Sequence, residues 1–419
     1  MAGGHSLVYK ANPALQVLIG LLLIIVLARI LHLFLSKLHQ PRVISEMIAG
    51  ILIGPSFFGL FWPHWYNTLF SQTTISNFGI IAQISIIIYM FIIGVKFDSH
   101  ELNENNQTVI ATAKASIIFP FLLGLFTAAW LYSHPDLINL NTNEMSFFVF
   151  ALFIGVSMSI TAFPVLARII TDRNLQNTTL GTFAMTCASF NDVTAWCLLA
   201  IVIGISKADV SSCIITIVLT VVFISGMLLI VKPLAAKISD YVTNNNYTDE
   251  QQIAIILVTL LISAILAEYI GIHAIFGAFI LGVITPRDNK VINDLISKLH
   301  DVICILFLPT FFAYIGIKTQ LALIDSLSSL VLCLVIIIVA VLGKLGGTYY
   351  TARLFGTNKN LALKLGFLMN TRGLVELIVL NIGLEAGIIS YQLFAILIVM
   401  ALVTTCTTGP ALHYLRTRS

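Results

Sequence analysis

From one end of this 419-residue chain to the other, apolar stretches follow each other with only short polar breaks between them. Most run to ~17–25 residues, the length at which an α-helix crosses the hydrocarbon core of a bilayer, where no water satisfies a bare backbone. A membrane barrel would show ~10-residue alternating strands instead. A soluble globular fold is excluded by a composition of 58% hydrophobic and only 10% charged residues. The expected fold class is an all-α polytopic membrane protein of about 13 transmembrane helices, at 14–36, 44–61, 74–95, 108–132, 146–171, 178–205, 210–236, 250–267, 270–285, 301–317, 328–355, 361–384 and 391–414.

Basic residues test that count, because Lys and Arg concentrate in loops on the cytoplasmic side. With loops assigned alternately to two sides, one side receives 15 of the 22, among them Lys37, Arg42, Arg168, Arg173, Arg287 and Arg418. The other receives only Lys10, Lys207 and Lys318, while Arg29, Lys114, Lys344 and Arg372 fall inside apolar segments. The N terminus is therefore expected outside and the C terminus in the cytoplasm of a bacterial-type plasma membrane. Met1–Asn12 is polar and the first apolar run lacks a small-residue cleavage pattern, so no cleavable leader is expected. A net charge of +3 gives no reason to invoke a nucleic-acid partner. The six cysteines lie singly, without metal-ligand spacing, and are read as packing residues.

The two halves share an order of small-residue signals. Gly50 and Gly54-Pro55 in the second run resemble Gly277 and Gly282 with Pro286 in the ninth; Gly94-Val95-Lys96 closes the third as Gly316-Ile317-Lys318 closes the tenth. Lys114 and Lys344 then occur in the fourth and eleventh. Six helices, one linker and six more place the second set upside down, an inverted repeat of the kind common in secondary transporters.

Polar residues at membrane depth mark function. Asp192 falls near the middle of the 178–205 run, and an ionised Asp there costs at least ~2.5–3.5 kcal/mol on insertion scales, so it must face protein, water or a cation. Two other runs are interrupted: by Ser159, Thr161 and Pro164 in the first half, and by Asn370, Thr371, Arg372 and Gly373 in the second. Broken helices at matching positions of inverted halves point to a transporter's substrate site. The hydroxyls of Ser159 and Thr161, freed carbonyls and the Asp192 carboxylate form an oxygen set suited to Na⁺ or K⁺. Arg372 and Glu376, four apart on one helix face, are expected to pair and brace the break. Lys114 and Lys344 are expected to offset half-helix C-terminal dipoles. Glu46, at the cytoplasmic face, is read as an interfacial acid, with a place lining the entry funnel as the alternative.

The stretches Ser159-Ile160-Thr161-Ala162-Phe163-Pro164, Asn191-Asp192 and Asn370-Thr371-Arg372-Gly373-Leu374-Val375-Glu376 resemble the monovalent cation/proton antiporter superfamily. Within it, they are most similar to the branch with glutathione-gated potassium efflux systems and plant cation/proton exchangers. The resemblance implies a homodimer in which a dimerisation panel (1–107 and 250–327) flanks a mobile core (108–205 and 328–419), with 206–249 as a linker helix. It also implies that two broken helices cross beside Asp192, the residue that binds cation or proton, and that the core moves like an elevator. Asn191 stands where electrogenic members carry a second aspartate, whose usual lysine partner matches Lys344. One titrating carboxylate implies one cation per proton; a Lys344 that released and regained a proton would alter that ratio.

The expected function is electroneutral exchange of Na⁺ or K⁺ for H⁺, with no cofactor beyond the transported ions. A cation efflux channel, a gated potassium efflux system and a non-transporting membrane sensor are the alternatives. No HExxH spacing or nucleotide loop points to an enzyme.

Overall fold

A computed structural model describes residues 12–97, 106–140, 145–206, 210–244, 247–286, 290–318 and 326–417. Lys10, Lys207, Arg287 and Arg418, four of the topology markers, lie outside the described residues, as does most of the polar N-terminal stretch. Every longer regular element among the described residues is helical.

Ten helices there are long and apolar enough to cross a bilayer, which makes the chain an integral membrane protein. The helices that matter below are α1 (Pro13–Leu35), α2 (Arg42–Ile53), α3 (Gln72–Lys96), α4 (Asn106–Tyr132), α5 (Phe147–Ser159), α6 (Phe163–Asp172), α7 (Thr179–Ser206), α8 (Val210–Gly226), α9 (Asp249–Ile270), α10 (Ala274–Ile284), α11 (Leu308–Ile317), α12 (Leu327–Val341), α13 (Lys359–Met369), α14 (Leu374–Glu385) and α15 (Tyr391–Thr417). Several begin where a side chain satisfies an orphan N–H. Asn12 accepts from Ala14 and Leu15 at the head of α1, and Thr248 with Gln251 forms a reciprocal capping box on α9.

α1, α2, α3, α9, α10 and α11 pack mainly on one another, and α4, α5, α7, α12, α13 and α15 form a second group. Two crossings in the first group bring backbones into direct contact. α2 meets α11 through Gly50 and Gly316, and α3 meets α10 through Gly94 and Gly282. A Cβ added at Gly316 would stand 2.2 Å from the Met47 carbonyl oxygen, and one at Gly94 2.4 Å from that of Phe279. Helices in a membrane gain by such close approach, since packing rather than water exclusion holds them together. Gly316→Ala is expected to destabilise the protein by at least ~1–3 kcal/mol, the usual cost of overpacking. Gly226→Ala, where nothing lies within 4 Å of the new methyl, is the matched control and stays neutral. Thermal melts of the two detergent-solubilised variants check this, and equal melting temperatures would refute it.

Both interrupted runs are broken as half-helices, with one shift from expectation. α5 stops at Ser159 and α6 starts at Phe163, so the gap is the extended tripeptide Ile160-Thr161-Ala162. Pro164 lies in the first turn of α6 rather than inside a kinked helix, because its missing N–H costs nothing at a helix start. The second gap runs from Asn370, which closes α13, to Gly373, which precedes α14.

Candidate functional site

The two gaps touch through their backbones. The Ala162 N–H donates to the Thr371 carbonyl at 3.0 Å, and the Thr161 hydroxyl lies 3.0 Å from the Met369 carbonyl oxygen. Gly373 permits this closeness, for a Cβ there would sit 2.4 Å from Val165 Cγ2.

The side-chain N–H groups of Arg372 and Lys344 close the end of α5. Arg372 donates from Nη1 to the Ser157 carbonyl at 3.0 Å and from Nη2 to that of Met158 at 2.7 Å. Lys344 Nζ donates to the Ser159 carbonyl and, at 2.9 Å, to that of Ser116. The last three carbonyls of the half-helix, which carry the negative end of its dipole, thus each accept from a side-chain N–H. Arg372 is balanced in turn by Glu376 at 2.9 Å, and all three charged residues are fully buried. Lys344 reaches the site from a π-helical turn, Leu342–Gly346, of the sort that often marks functional positions.

The end of α13 is finished differently. Hydroxyls stand against its last carbonyls: Thr408 on Phe367 at 3.1 Å, Thr371 on Leu368 at 2.8 Å and Thr161 on Met369. Beside them the Asn370 amide is 1% exposed, and neither its oxygen nor its nitrogen has a hydrogen-bond partner. A buried polar group left so costs ~1–3 kcal/mol.

Asn191 and Asp192 are both buried on α7 with different surroundings. The Asn191 amide lies 2.9 Å from Ser116 Oγ and 3.2 Å from Thr161 Oγ1; with its nitrogen toward the Ala113 and Cys187 carbonyls, 3.2 Å each, both of its ends are satisfied. Asp192 is 3% exposed and its Oδ1 has no hydrogen-bond partner.

Several sequence expectations change here. Thr161 engages Asn191 and Met369, and the Ser159 hydroxyl donates back to the Val156 carbonyl at 2.8 Å, a bond Ser commonly makes within its own helix. Among the carbonyls at the break, that of Ser159 is held by Lys344. Lys114 does not join the cluster: it is exposed, two residues and hence about 200° around α4 from the buried Ser116. Glu46 is no exposed interfacial acid, and Arg168 is no loop marker. Both are buried, Arg168 Nη2 lies 3.7 Å from Glu46 Oε1, and Arg168 also pairs with Asp172 at 3.4 Å. Cys187, Cys197, Cys304, Cys333 and Cys406 are free thiols.

Two contributors went unread in the sequence. Ser116 supplies both a hydroxyl to Asn191 and a carbonyl to Lys344. Thr405 brackets the Arg372 backbone, accepting from its N–H at 2.8 Å and donating to its carbonyl at 2.9 Å. The cluster Thr404-Thr405-Cys406-Thr407-Thr408 in an apolar run was the available signal for the second.

A cavity of about 770 Å³ opens between the two helix groups, lined by His32, Arg42, Asp172, Arg173 and Lys364 among others. Asp192 is not among its lining residues.

Comparison with known proteins adds to this geometry. The family model described as sodium/hydrogen exchanger, transmembrane, matches residues 22–415. The Na(+)/H(+) antiporter NhaS4 of Synechocystis sp. is 40% identical over 405 residues, which cover 95% of this chain and 97% of that protein. Cation/H(+) antiporter 17 of Arabidopsis thaliana is 36% identical over 97% of this chain but only 49% of its own length. K(+)/H(+) antiporter 1 of Saccharomyces cerevisiae is 31% identical over 96% of this chain and 46% of its own. The chain therefore spans about half the length of these plant and yeast relatives. Among solved structures, the sodium proton antiporter MjNhaP1 of Methanocaldococcus jannaschii at pH 8 superposes with a TM-score of 0.67 at 16% identity, covering 96% of this chain and 97% of that one, which establishes a shared fold.

Proposed function

Because this chain belongs to the sodium/hydrogen exchanger transmembrane family, we propose that it exchanges a monovalent cation, Na⁺ or K⁺, for protons, using Asp192 as the shared site. The observation that carries this reading is the Asp192 carboxylate, buried at membrane depth with an oxygen that no protein group satisfies. The other buried acids, Glu46 and Glu376, are each paired with an arginine, whereas no ion pair among the described residues includes Asp192, so Asp192 is the acid left to act. A proton or a cation neutralises it, never both at once, and that competition couples the two fluxes. An empty, ionised site is costly to carry past apolar surface, so the carrier moves readily only when loaded.

Asn191 is neutral and Lys344 is engaged by two carbonyls, which favours one cation per proton and no net charge moved. The grouping of helices supports a division into a static panel (1–107 and 250–327) and a moving core (108–205 and 328–419), with 206–249 linking them. The panel would join two copies in a homodimer, and the core would travel in an elevator-like step. Since Asp192 does not line the 770 Å³ cavity, opening the site to that side requires the core to shift. The charge asymmetry of the loops supports a plasma-membrane protein with its N terminus outside.

Purified protein in liposomes with an imposed pH gradient tests this. One of Na⁺, K⁺ or Li⁺ is expected to collapse the gradient with saturating kinetics and at a rate unchanged when the membrane voltage is clamped at different values. Non-saturating, voltage-driven flux would favour the channel instead. Failure of every cation would leave the sensor.

A further inference from the structure

Within the antiport reading, on which this inference rests, we propose that the Asn370 side-chain oxygen is a ligand of the transported cation, which is held at the C-terminal end of α13 rather than that of α5.

The two half-helix ends differ in how their carbonyls are finished. At α5, N–H donors of Arg372 and Lys344 already occupy the Ser157, Met158 and Ser159 carbonyls, so these oxygens are not open to a cation. At α13, the groups facing the Phe367, Leu368 and Met369 carbonyls are the hydroxyls of Thr408, Thr371 and Thr161. Hydroxyls satisfy hydrogen bonding without cancelling the dipole, so the negative end of α13 stays available to a cation.

Asn370 is the residue that closes this end. Its amide is buried with both polar atoms lacking a protein partner, although its neighbours on either side are tied into the crossing: Met369 through Thr161 and Thr371 through Ala162. Buried side-chain polar atoms in proteins are nearly all partnered, so two orphans on one side chain point to a partner that is not protein. The amide oxygen is a hard, neutral donor of the kind Na⁺ and K⁺ accept.

The crossing is tied to α7, the helix that carries Asp192. Asn191 contacts Thr161, and Thr161 contacts Met369, so the next residues along the two chain segments are Asp192 and Asn370. A neutral amide supplies coordination without adding a charge to that of the one carboxylate. It leaves the one-for-one exchange intact, and it adds a ligand by whose position Na⁺, K⁺ and Li⁺ can be distinguished.

The test measures half-saturating Na⁺, K⁺ and Li⁺ concentrations for proton flux at fixed pH, with the whole chain in liposomes. Asn370→Ala is expected to raise the value for the transported ion by about tenfold or more, equivalent to the loss of one good ligand, while the saturated rate stays within about threefold. It also changes the ratio among the three ions, which mere loosening of the fold would not. Asn370→Ser, which keeps an oxygen, gives a smaller increase. Unchanged affinity and ion order in Asn370→Ala, with Asp192→Asn inactive, overturn the proposal and leave antiport standing. Exchange that survives Asp192→Asn instead removes the antiport reading itself. Should Asn370→Ala fail to fold, the isosteric Asn370→Asp decides: a carboxylate at a ligand position makes exchange voltage-sensitive and alters cation affinity, and if neither changes, Asn370 is no ligand.

Discussion

Asp192→Asn is expected to lower cation-coupled proton flux by at least about 100-fold, a loss of roughly 3 kcal/mol or more in the transport cycle. The substitution keeps shape and removes charge. An amide can neither take up a proton from one side nor offset a dehydrated cation from the other, so neither loaded form exists. Folding should not suffer. The native carboxylate is buried with an unsatisfied oxygen, and a neutral group relieves the cost of ionising it there. The variant is therefore expected to melt no lower than the parent while its flux falls to background. Two measurements on one preparation, a melt and a gradient-collapse assay, check this. Exchange at the parental rate would remove the central claim, and a loss of flux with a collapsed melt would reassign Asp192 to structure.

Arg372→Met produces the largest expected change in stability. Its guanidinium joins the Glu376 carboxylate to the carbonyls that end α5. Removing it leaves Glu376 buried and alone and two carbonyls uncapped. Breaking a buried pair from one side costs ~3–5 kcal/mol. The variant is expected to accumulate poorly in membranes and to melt well below the parent. Combining it with Glu376→Gln should recover part of the loss, because the stranded charge is then gone. Lys114→Met, at an exposed site, serves as the comparison and should leave the melt unchanged. A parental melting temperature for Arg372→Met would mean that the end of α5 does not depend on it.

How much of this was legible in the sequence follows from the range of each signal. Helical spans, the two interruptions and the pairing of Arg372 with Glu376 are local: run length, a proline with hydroxyls, and a spacing of four dictate them. Asn191, Ser116 and Lys344 could not be assembled in that way, since their partners come from segments far apart in the chain and only the crossing angle brings them together. Lys114 and Lys344 looked alike because each sits in an apolar run. Which face of its helix a lone lysine occupies is fixed by packing, and packing turned one inward and the other outward. Arg168 was misread for a related reason. A basic residue near a helix end usually marks a loop, but the carboxylates of Glu46 and Asp172 draw this one inside.

The paired glycines at the α2–α11 and α3–α10 crossings have a mechanical meaning. Where two backbones interlock with a carbonyl filling the space of a missing methyl, a sliding displacement drives atoms into one another, so these contacts resist shear. The seam between that group and the half-helix α6 is of another kind. It is held by side chains, through Arg168 on Glu46 at 3.7 Å and Tyr89 on Thr171 at 3.4 Å, which can lengthen, rotate and re-form. A stress applied across this molecule would leave the glycine crossings intact and yield along that seam.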